Sequence, residues 1–383
     1  MNVCVGDALA IKEIAVRKAF ELGAGAVRVA SAAPDETSRS RMAAAFARGD
    51  FAAWGFDEEY ARRSADPASI LPGARSVVCI AVPYEPAAAG GYLRGRISSY
   101  ARRPDYHRSV RALLRGVAAA IDAAAGEAVT LVACDTKPLA ERAFAAASGL
   151  GWTGKHTLTI VPALGSYVFL GEIVTTLPLP PDEPLRKNCG SCRRCADACP
   201  TGALRADYTI DATRCISDLT QRPDGIPPAM RPLVGDWIWG CDICQVVCPP
   251  GQPARRAAPA GAQGEGPALV ELLGLRGSAF KRRYRPSAMG WRGPAVLRRN
   301  AAVALGNALD RSAVGALAQS LETDPHPMVR GHVAWALGRI GSPSALSALR
   351  ARYAAEEDTG VRVEIRSALA PFERPATERG SYR

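Results

Sequence analysis

The chain has no apolar run long enough to span a bilayer. Its first residues, Met1 to Asp7, lack the basic stretch and apolar segment of a secretory signal. Both absences lead to the expectation of a soluble, cytoplasmic protein that touches no membrane. Lysine is scarce, at 6 residues against 42 arginines, and there are only four histidines. No two of His107, His156, His326 and His332 have the spacing of a zinc protease. What the chain does hold is cysteine, eleven in all. In a reducing compartment these do not read as a disulfide framework and need another use. With 383 residues, 48% hydrophobic and 22% charged, the chain suits two to three domains with sizeable cores and is not globally disordered.

Eight of the eleven cysteines fall between positions 189 and 248. The densest run, Cys189-x2-Cys192-x2-Cys195-x3-Cys199-Pro200, has the bacterial ferredoxin spacing. Three thiolates turn onto one four-iron cubane, and the fourth, before the proline, ligates the neighbouring cluster. A second run, Cys241-x2-Cys244-x3-Cys248-Pro249, lacks its first cysteine at Ile238, and Cys215 can supply the missing thiolate. The pattern therefore assigns one [4Fe-4S] cluster to Cys189, Cys192, Cys195 and Cys248, and another to Cys199, Cys215, Cys241 and Cys244. Zinc also takes Cys-x2-Cys pairs, but four cysteines within eleven residues and two Cys-Pro endings fit it poorly. Cys4, Cys79 and Cys134 have no such spacing and read as buried inert thiols.

Before this run, periodicity predicts helices over 7–22 and 106–125 and strands at Ala26–Ala30, Ser76–Tyr84 and Thr130–Cys134. A helix through Phe144 and Ala147 follows, then a hairpin of Thr157–Pro162 and Ser166–Thr176 turned at 163–165. The fold class is α+β: a mixed α/β domain over 1–184, a ferredoxin-like domain over 185–250, a Gly/Pro/Ala linker over 251–268 and helical repeats over 269–383. In the last part Arg298, Arg330 and Arg362 recur every 32 residues, in phase with Leu305, Leu337 and Leu369. A repeated helical pair of HEAT type explains this better than alanine-rich drift.

Residues 254–383 carry 20 basic and 11 acidic side chains. The densest basic patch is Lys281, Arg282, Arg283 and Arg285, followed by Arg292, Arg298 and Arg299. Such charge attracts nucleic-acid phosphates, and Tyr284 or Trp291 could stack on a base. A solvated basic surface is the plainer reading. On a repeat array the balance tips towards RNA.

Asp135 stands just past a β-rich run, at the start of Asp135-Thr-Lys-Pro-Leu-Ala-Glu-Arg142. If desolvated, its carboxyl would rise in pKa and donate a proton. The plainer reading is an N-cap for the next helix, supplied by Asp135 or Thr136. Gly149-Leu-Gly-Trp-Thr-Gly-Lys155-His156 nearly spells a P-loop. It fails as one because His156 replaces the hydroxyl residue and the segment runs from helix to strand. Its glycines serve either as turns or as a close approach for a flat cofactor. Asp105-Tyr106-His107 either caps the long helix or faces a site.

Together these motifs resemble the epoxyqueuosine reductases, over roughly residues 60 to 370. The matching stretches are Tyr100-Ala101, Asp105-Tyr106-His107, the Asp135 and Gly149 motifs, Gly165-Ser166, the eight cysteines with Arg214-Cys215-Ile-Ser217, and the repeat tail. His156 stands where the family usually has asparagine. The resemblance implies reduction of epoxyqueuosine to queuosine at the tRNA wobble position, with cobalamin held by Asp135, Trp152, Lys155, His156 and Ser217. It also implies Asp135 as proton donor, an external low-potential electron donor, and a basic tail holding the anticodon arm. The expected protein is a monomer. The signature Asp-x-His-x-x-Gly is absent, since Val110 stands where its glycine would fall, so a histidine-on cobalamin domain is not supported. Competing readings are a cobalamin-dependent reductive dehalogenase and a non-catalytic iron–sulfur electron carrier. The first usually has an export signal and no repeat tail. The second leaves Asp135 without a role.

Overall fold

The structure is a computed structural model describing residues 5–86, 91–126, 129–253 and 266–373. The chain begins α1 (Val5–Glu21), β1 (Ala26–Ser31), α2 (Glu36–Ala47), α3 (Glu58–Ala65), β2 (Ser76–Pro83), β3 (Arg96–Ile97) and α4 (Tyr106–Ala125). It continues β4 (Thr130–Ala133), α5 (Glu141–Ala147), β5 (Trp152–Thr153), β6 (Thr159–Ile160), β7 (Val168–Thr175) and α6 (Arg194–Asp197). Then come α7 (Ile216–Leu219), α8 (Arg231–Val234), β8 (Trp237–Trp239), α9 (Ile243–Val246), α10 (Leu269–Leu273) and α11 (Gly277–Arg283). The last elements are α12 (Pro294–Ala308), α13 (Val314–Thr323), α14 (Pro327–Ile340), α15 (Pro343–Ala355) and α16 (Thr359–Glu373).

These residues form two compact units. One takes the chain up to Pro86, then Asp105–Cys215, and resumes at Asp242. The other takes the segment ending at Pro104, then Ile216–Cys241, and the C-terminal part. The division differs from the sequence expectation: 216–241 leaves the cysteine-rich segment and joins the repeats. The expected linker over 251–268 falls mostly outside the described residues, as does Cys4. Among the described residues no helix is long and apolar enough to cross a membrane.

The first unit is built on an antiparallel sheet of order β1-β2-β7-β4. Side chains alternate across a strand, and both faces are covered. Val78, Ile80 and Ile173 pack with Ile11 and Ala15 of α1 and with Val110, Leu114 and Val117 of α4. Val77, Cys79, Ala81 and Val174 pack on the other face with Phe144 and Ala145 of α5. Asp105 caps α4, its side chain accepting the His107 N–H at 3.1 Å.

The expected hairpin of Thr157–Pro162 with Ser166–Thr176 does not form. β6 pairs with β5, Trp152 opposite Ile160, and β7 pairs with β2 and β4. One isolated bridge, Val161 to Gly165, lies between the first segment and the expected turn. Both edges of β7 are already occupied, so no edge is left for its sequence neighbour.

In the second unit β3 runs parallel to β8, and α12 to α16 form the repeated helical pairs. Proline occupies the first turn of α12, α14 and α15, where the missing N–H costs nothing. Leu305, Leu337 and Leu369 are buried. The arginines in phase with them are cement between repeats: Arg298 bonds Asp324 at 2.7 Å, Arg330 bonds Glu356 at 2.8 Å, and Arg362 donates to the Tyr353 and Glu356 carbonyls.

Candidate active site

β4 ends at Ala133, two residues short of Asp135, whose φ of 59° lies in the left-handed region. For a non-glycine residue that is a costly backbone state. The helix that follows starts only at Glu141, and its N-cap position, Ala140, carries no side-chain cap. Capping is therefore not what Asp135 or Thr136 does. The Asp135 side chain stays 63% exposed, while its Oδ2 accepts from the Tyr106 hydroxyl at 3.2 Å and lies 3.1 Å from His107 Nε2. His107 Nδ1 lies 2.6 Å from Oδ1 of Asp105. The Tyr106 ring stacks on Phe169 of β7, with centroids 4.1 Å apart.

One imidazole thus bridges two carboxylates. The bond to Asp135 and then that to Asp105, working against burial, hold the His107 pKa above its ordinary 6.5. The same bond holds Asp135 below 3.8, outweighing desolvation, with Tyr106 and Arg142 adding to the effect. The expected rise of Asp135 by desolvation is thereby corrected, because the carboxyl is largely exposed and its hydrogen bond to His107 outweighs what desolvation there is. Both shifts favour the ion pair, so over the range between the two values the one proton sits on His107. The backbone N–H of Asp135 donates to Glu141 Oε1.

Arg142 of α5 donates to the Thr157 carbonyl of the β5–β6 hairpin. His156 is buried, and burial lowers its pKa to about 4, so it is neutral. Its Nδ1 accepts the Leu158 N–H at 3.1 Å, which leaves the proton on Nε2. That Nε2 and the Trp152 Nε1 are buried without a hydrogen-bond partner. Lys187 lies over the Trp152 ring at 5.4 Å. Lys155 sends its Nζ to the Gly190 carbonyl at 2.8 Å and its backbone N–H to Cys189 Sγ at 3.4 Å. Two of the glycines are explained by packing within the chain: a Cβ on Gly149 (φ +70°) would sit 2.1 Å from the Glu183 oxygen, and one on Gly151 2.5 Å from the Ile160 oxygen.

Cys248 is raised by burial and by the neighbouring sulfurs of Cys189, Cys195 and Cys192, while the Gly251 N–H works the other way. The charge interactions therefore place Cys248 with the run at Cys189, Cys192 and Cys195. The loop behind Cys248 is tied to the sheet unit: Ser166 N–H donates to the Gly251 carbonyl at 2.8 Å and Gln245 Nε2 to the Ser166 carbonyl at 3.0 Å. Burial raises Cys199 too, but the Thr201 hydroxyl and the N–H groups of Leu204, Ala203 and Thr201 outweigh it and hold the thiol low. Cys199, Cys215 and Cys244 belong to the first unit, Cys241 to the second. Among the described residues no group of three or more His, Cys, Asp or Glu is spaced for a single metal ion. A cubane instead presents a separate iron to each thiolate. Cys79 and Cys134 are buried and both raised, chiefly by desolvation, as inert thiols are.

The basic residues of the second unit divide. Lys281, Arg282, Arg283 and Arg285 are exposed. Arg298 and Arg299, expected to contact RNA, are not available for it. Arg298 is spent on Asp324 and the Leu275 carbonyl, and Arg299, 0% exposed, donates to the Leu219, Arg222 and Asp224 carbonyls and Asn300. Both lie on the inner face of α12, where a guanidinium satisfies buried oxygens. Tyr284 is buried as well, whereas Trp291 is 52% exposed, with the Arg292 guanidinium 3.8 Å from its ring centroid. Ser217, on α7, accepts from Gln221 Nε2 at 3.1 Å.

Sequence reasoning passed over Glu172, a lone carboxylate inside the apolar run Val168–Thr175, and gave Glu141 no part beyond its place in a motif. An acidic residue in the middle of a β-rich stretch was the available signal.

Three family models match the chain: "Epoxyqueuosine reductase QueG, DUF1730" over residues 64–136, a 4Fe-4S double cluster binding domain over 188–251, and HEAT repeats over 292–370. An epoxyqueuosine reductase of Bacillus cereus is 35% identical over 328 residues, covering 82% of this chain and 86% of the relative. A crystal structure of epoxyqueuosine reductase with a tRNA-Tyr epoxyqueuosine-modified tRNA stem loop superposes with a TM-score of 0.87 at 31% identity, covering 95% of this chain and 99% of the other. A Bacillus subtilis epoxyqueuosine reductase with the catalytic aspartate loop swung out of the active site gives 0.87 at 30% identity, with the same coverage.

Proposed function

The chain belongs to the epoxyqueuosine reductase family, an oxidoreductase of that type, and from that premise we propose that it converts epoxyqueuosine to queuosine in a tRNA anticodon, with two [4Fe-4S] clusters, cobalamin, and Asp135 as the proton donor. The observation that carries the reading is the line Asp105–His107–Asp135, which ends on an exposed carboxyl in the same compact unit as the first cluster's thiols. Support for the substrate comes from the relative bound to a modified tRNA stem loop. The Asp135 loop is taken as the counterpart of the loop that swings out in the Bacillus subtilis relative. The dehalogenase and electron-carrier readings have no comparable support.

The residues fit the groups assigned to them. Cys248, which interacts in charge with Cys189, Cys192 and Cys195, and an N–H aimed at Cys189 Sγ suit an iron–sulfur cluster at these four positions. The ferredoxin pattern assigns Cys199, Cys215, Cys241 and Cys244 to the second. The Trp152 and His156 N–H groups are orphaned donors, and a corrinoid's rim of side-chain amides offers carbonyl acceptors for them. Lys155 bridges that hairpin to the Cys189 loop.

An epoxide gives up its oxygen as water when it takes up two electrons and two protons, leaving an alkene. The eight thiols would hold clusters able to supply electrons one at a time from an external low-potential donor. Bound cobalamin would supply a reduced cobalt reactive towards an epoxide carbon. Everything else falls to the chain. Asp105 orients the His107 ring, His107 holds the proton against Asp135, and Asp135 passes it to the departing oxygen as negative charge develops there. His107 is the resting store of that proton, so the low pKa of Asp135 does not forbid the role.

The test is to reconstitute the protein without oxygen, add cobalamin and a low-potential reductant, and offer epoxyqueuosine tRNA. Queuosine at the modified base is the expected product; absence of corrinoid binding together with unchanged tRNA would overturn the reading. The exposed patch is tested separately. Arg282→Ala with Arg283→Ala should weaken tRNA binding and flatten its salt dependence, the slope falling by about one for every phosphate no longer neutralised. A salt slope equal to that of the parent protein would remove the patch from the interface.

A further inference from the structure

Glu172 lies in the middle of β7, between Leu170 and Val174, which face α5. Its cross-strand partners are Cys79 of β2 and Ala133 of β4. It is 0% exposed, and neither of its carboxyl oxygens has a hydrogen-bond donor. A bare carboxylate at such a place would be very costly. The helix α5 packs on β7, and its first residue, Glu141, is the carboxyl that interacts with Glu172. Glu141 is also the residue whose Oε1 accepts the N–H of Asp135, where the backbone is in the left-handed region.

We propose that Glu172 and Glu141 share a single proton and act as a latch on the Asp135 loop, Glu172 donating to Glu141 and Glu141 accepting the Asp135 N–H. Both are positioning residues, since neither reaches the exposed Asp135 carboxyl that would meet substrate. The inference rests on the proposed reading only in taking the Asp135 loop to be catalytic.

The chemistry gives the latch a direction. With one proton on the pair, Glu141 is an anionic acceptor in contact with a neutral acid, and the strained loop is held. Without it, two buried negative charges face each other, and Glu141 swings towards water and releases the Asp135 N–H. The surrounding groups favour the singly protonated form. Cys79 from β2 and Cys134 at the end of β4 offer no positive charge, Asp135 adds a negative one, and Arg142 on α5 opposes it by lowering Glu141. Burial raises both carboxyls. His107, Tyr106 and Arg111 of α4 act on the loop itself, the first two through the Asp135 carboxyl and the third through Thr136.

The experiment is amide hydrogen exchange of the 134–140 segment in the holoprotein, followed from about pH 6 to about pH 9 and corrected for intrinsic base catalysis, with infrared detection of a protonated buried carboxyl. In the parent protein, exchange should rise roughly tenfold across that range and the protonated-carboxyl band should disappear with it. Glu172→Gln keeps a neutral donor facing Glu141, so protection should persist and its pH dependence should vanish. Glu141→Gln, whose carbonyl still accepts the Asp135 N–H, gives the same test if the first variant does not fold. Glu141→Ala should exchange fast at every pH. The latch is overturned if Glu172→Gln keeps the parent's pH response, or if no protonated carboxyl is seen near neutrality. Exchange and infrared results as expected, with tRNA left unchanged, would uphold the latch and sink the functional reading. Queuosine formation with pH-independent exchange in the parent protein would sink the latch alone.

Discussion

Asp135→Asn should cost turnover on the order of a hundred- to ten-thousand-fold, the range in which a positioned proton donor contributes, while cluster content and tRNA affinity stay at parent levels. Asparagine fits the same space and tolerates the left-handed backbone at φ 59°, so the loop is not perturbed by shape. What it cannot do is take a proton from His107 and give it to an oxygen. The pH profile carries the more specific information. His107 has its pKa raised and Asp135 has its pKa lowered, so between the two values the pair holds one proton. As pH rises through the His107 value, above 6.5, that proton is lost and kcat should fall. Replacing His107 with Gln should lower the rate and abolish that limb, because the store is gone while Asp135 stays. Tyr106→Phe removes a single neutral donor to Asp135 and should leave the limb in place. Single-turnover rates on epoxyqueuosine tRNA across pH decide the matter. Full turnover by Asp135→Asn with an intact fold would take the acid role away from Asp135.

Local rules were legible in the sequence where a local cause dominates. The long helix begins and ends where periodicity puts it, Tyr106–Ala125, because Asp105 caps one end and Gly126 closes the other with φ +74°. The strands around Val27, Val78 and Leu131 declare themselves as apolar runs. Partners are another matter. Nothing near β7 in the sequence says that its edges belong to β2 and β4, both far upstream, so the neighbouring segment looked like its hairpin mate. Arg298 and Arg299 were misread for a related reason. A cluster of arginines in a basic tail resembles a phosphate-binding face, yet the 32-residue phase with Leu305 and Leu337 already marked Arg298 as part of the repeat's interior. A surface cation has no reason to keep step with a buried leucine. The site was legible as far as its chemistry is carried by residue type, at Asp135 and at the cysteines. The proton line through His107 and the carboxyl pair behind it depend on where α4, α5 and β7 meet.

The cysteines allow the sharpest separation of the two proposed clusters. Cys248→Ser should remove about half the iron, leaving about four atoms of the eight that two cubanes hold, and should abolish turnover by breaking the electron path. Serine preserves the volume at a position that is almost fully buried, and the Ser166–Gly251 and Gln245–Ser166 bonds around it remain, so the loss should be of a ligand and not of the fold. The crossed assignment is tested by comparing variants. Charge interaction groups Cys248 with Cys189, Cys192 and Cys195, far upstream, despite its closer sequence neighbours Cys241 and Cys244. The reduced spectrum of Cys248→Ser should therefore match that of Cys189→Ser, each retaining only the second cluster. Cys244→Ser should retain the other and differ from both. Cys134→Ser, at a buried thiol outside either set, should keep all the iron. If Cys248→Ser instead matches Cys244→Ser, the two runs each close their own cluster. If it keeps the parent's iron, Cys248 is not a ligand, and the four-sulfur grouping loses the member that ties it to the sheet.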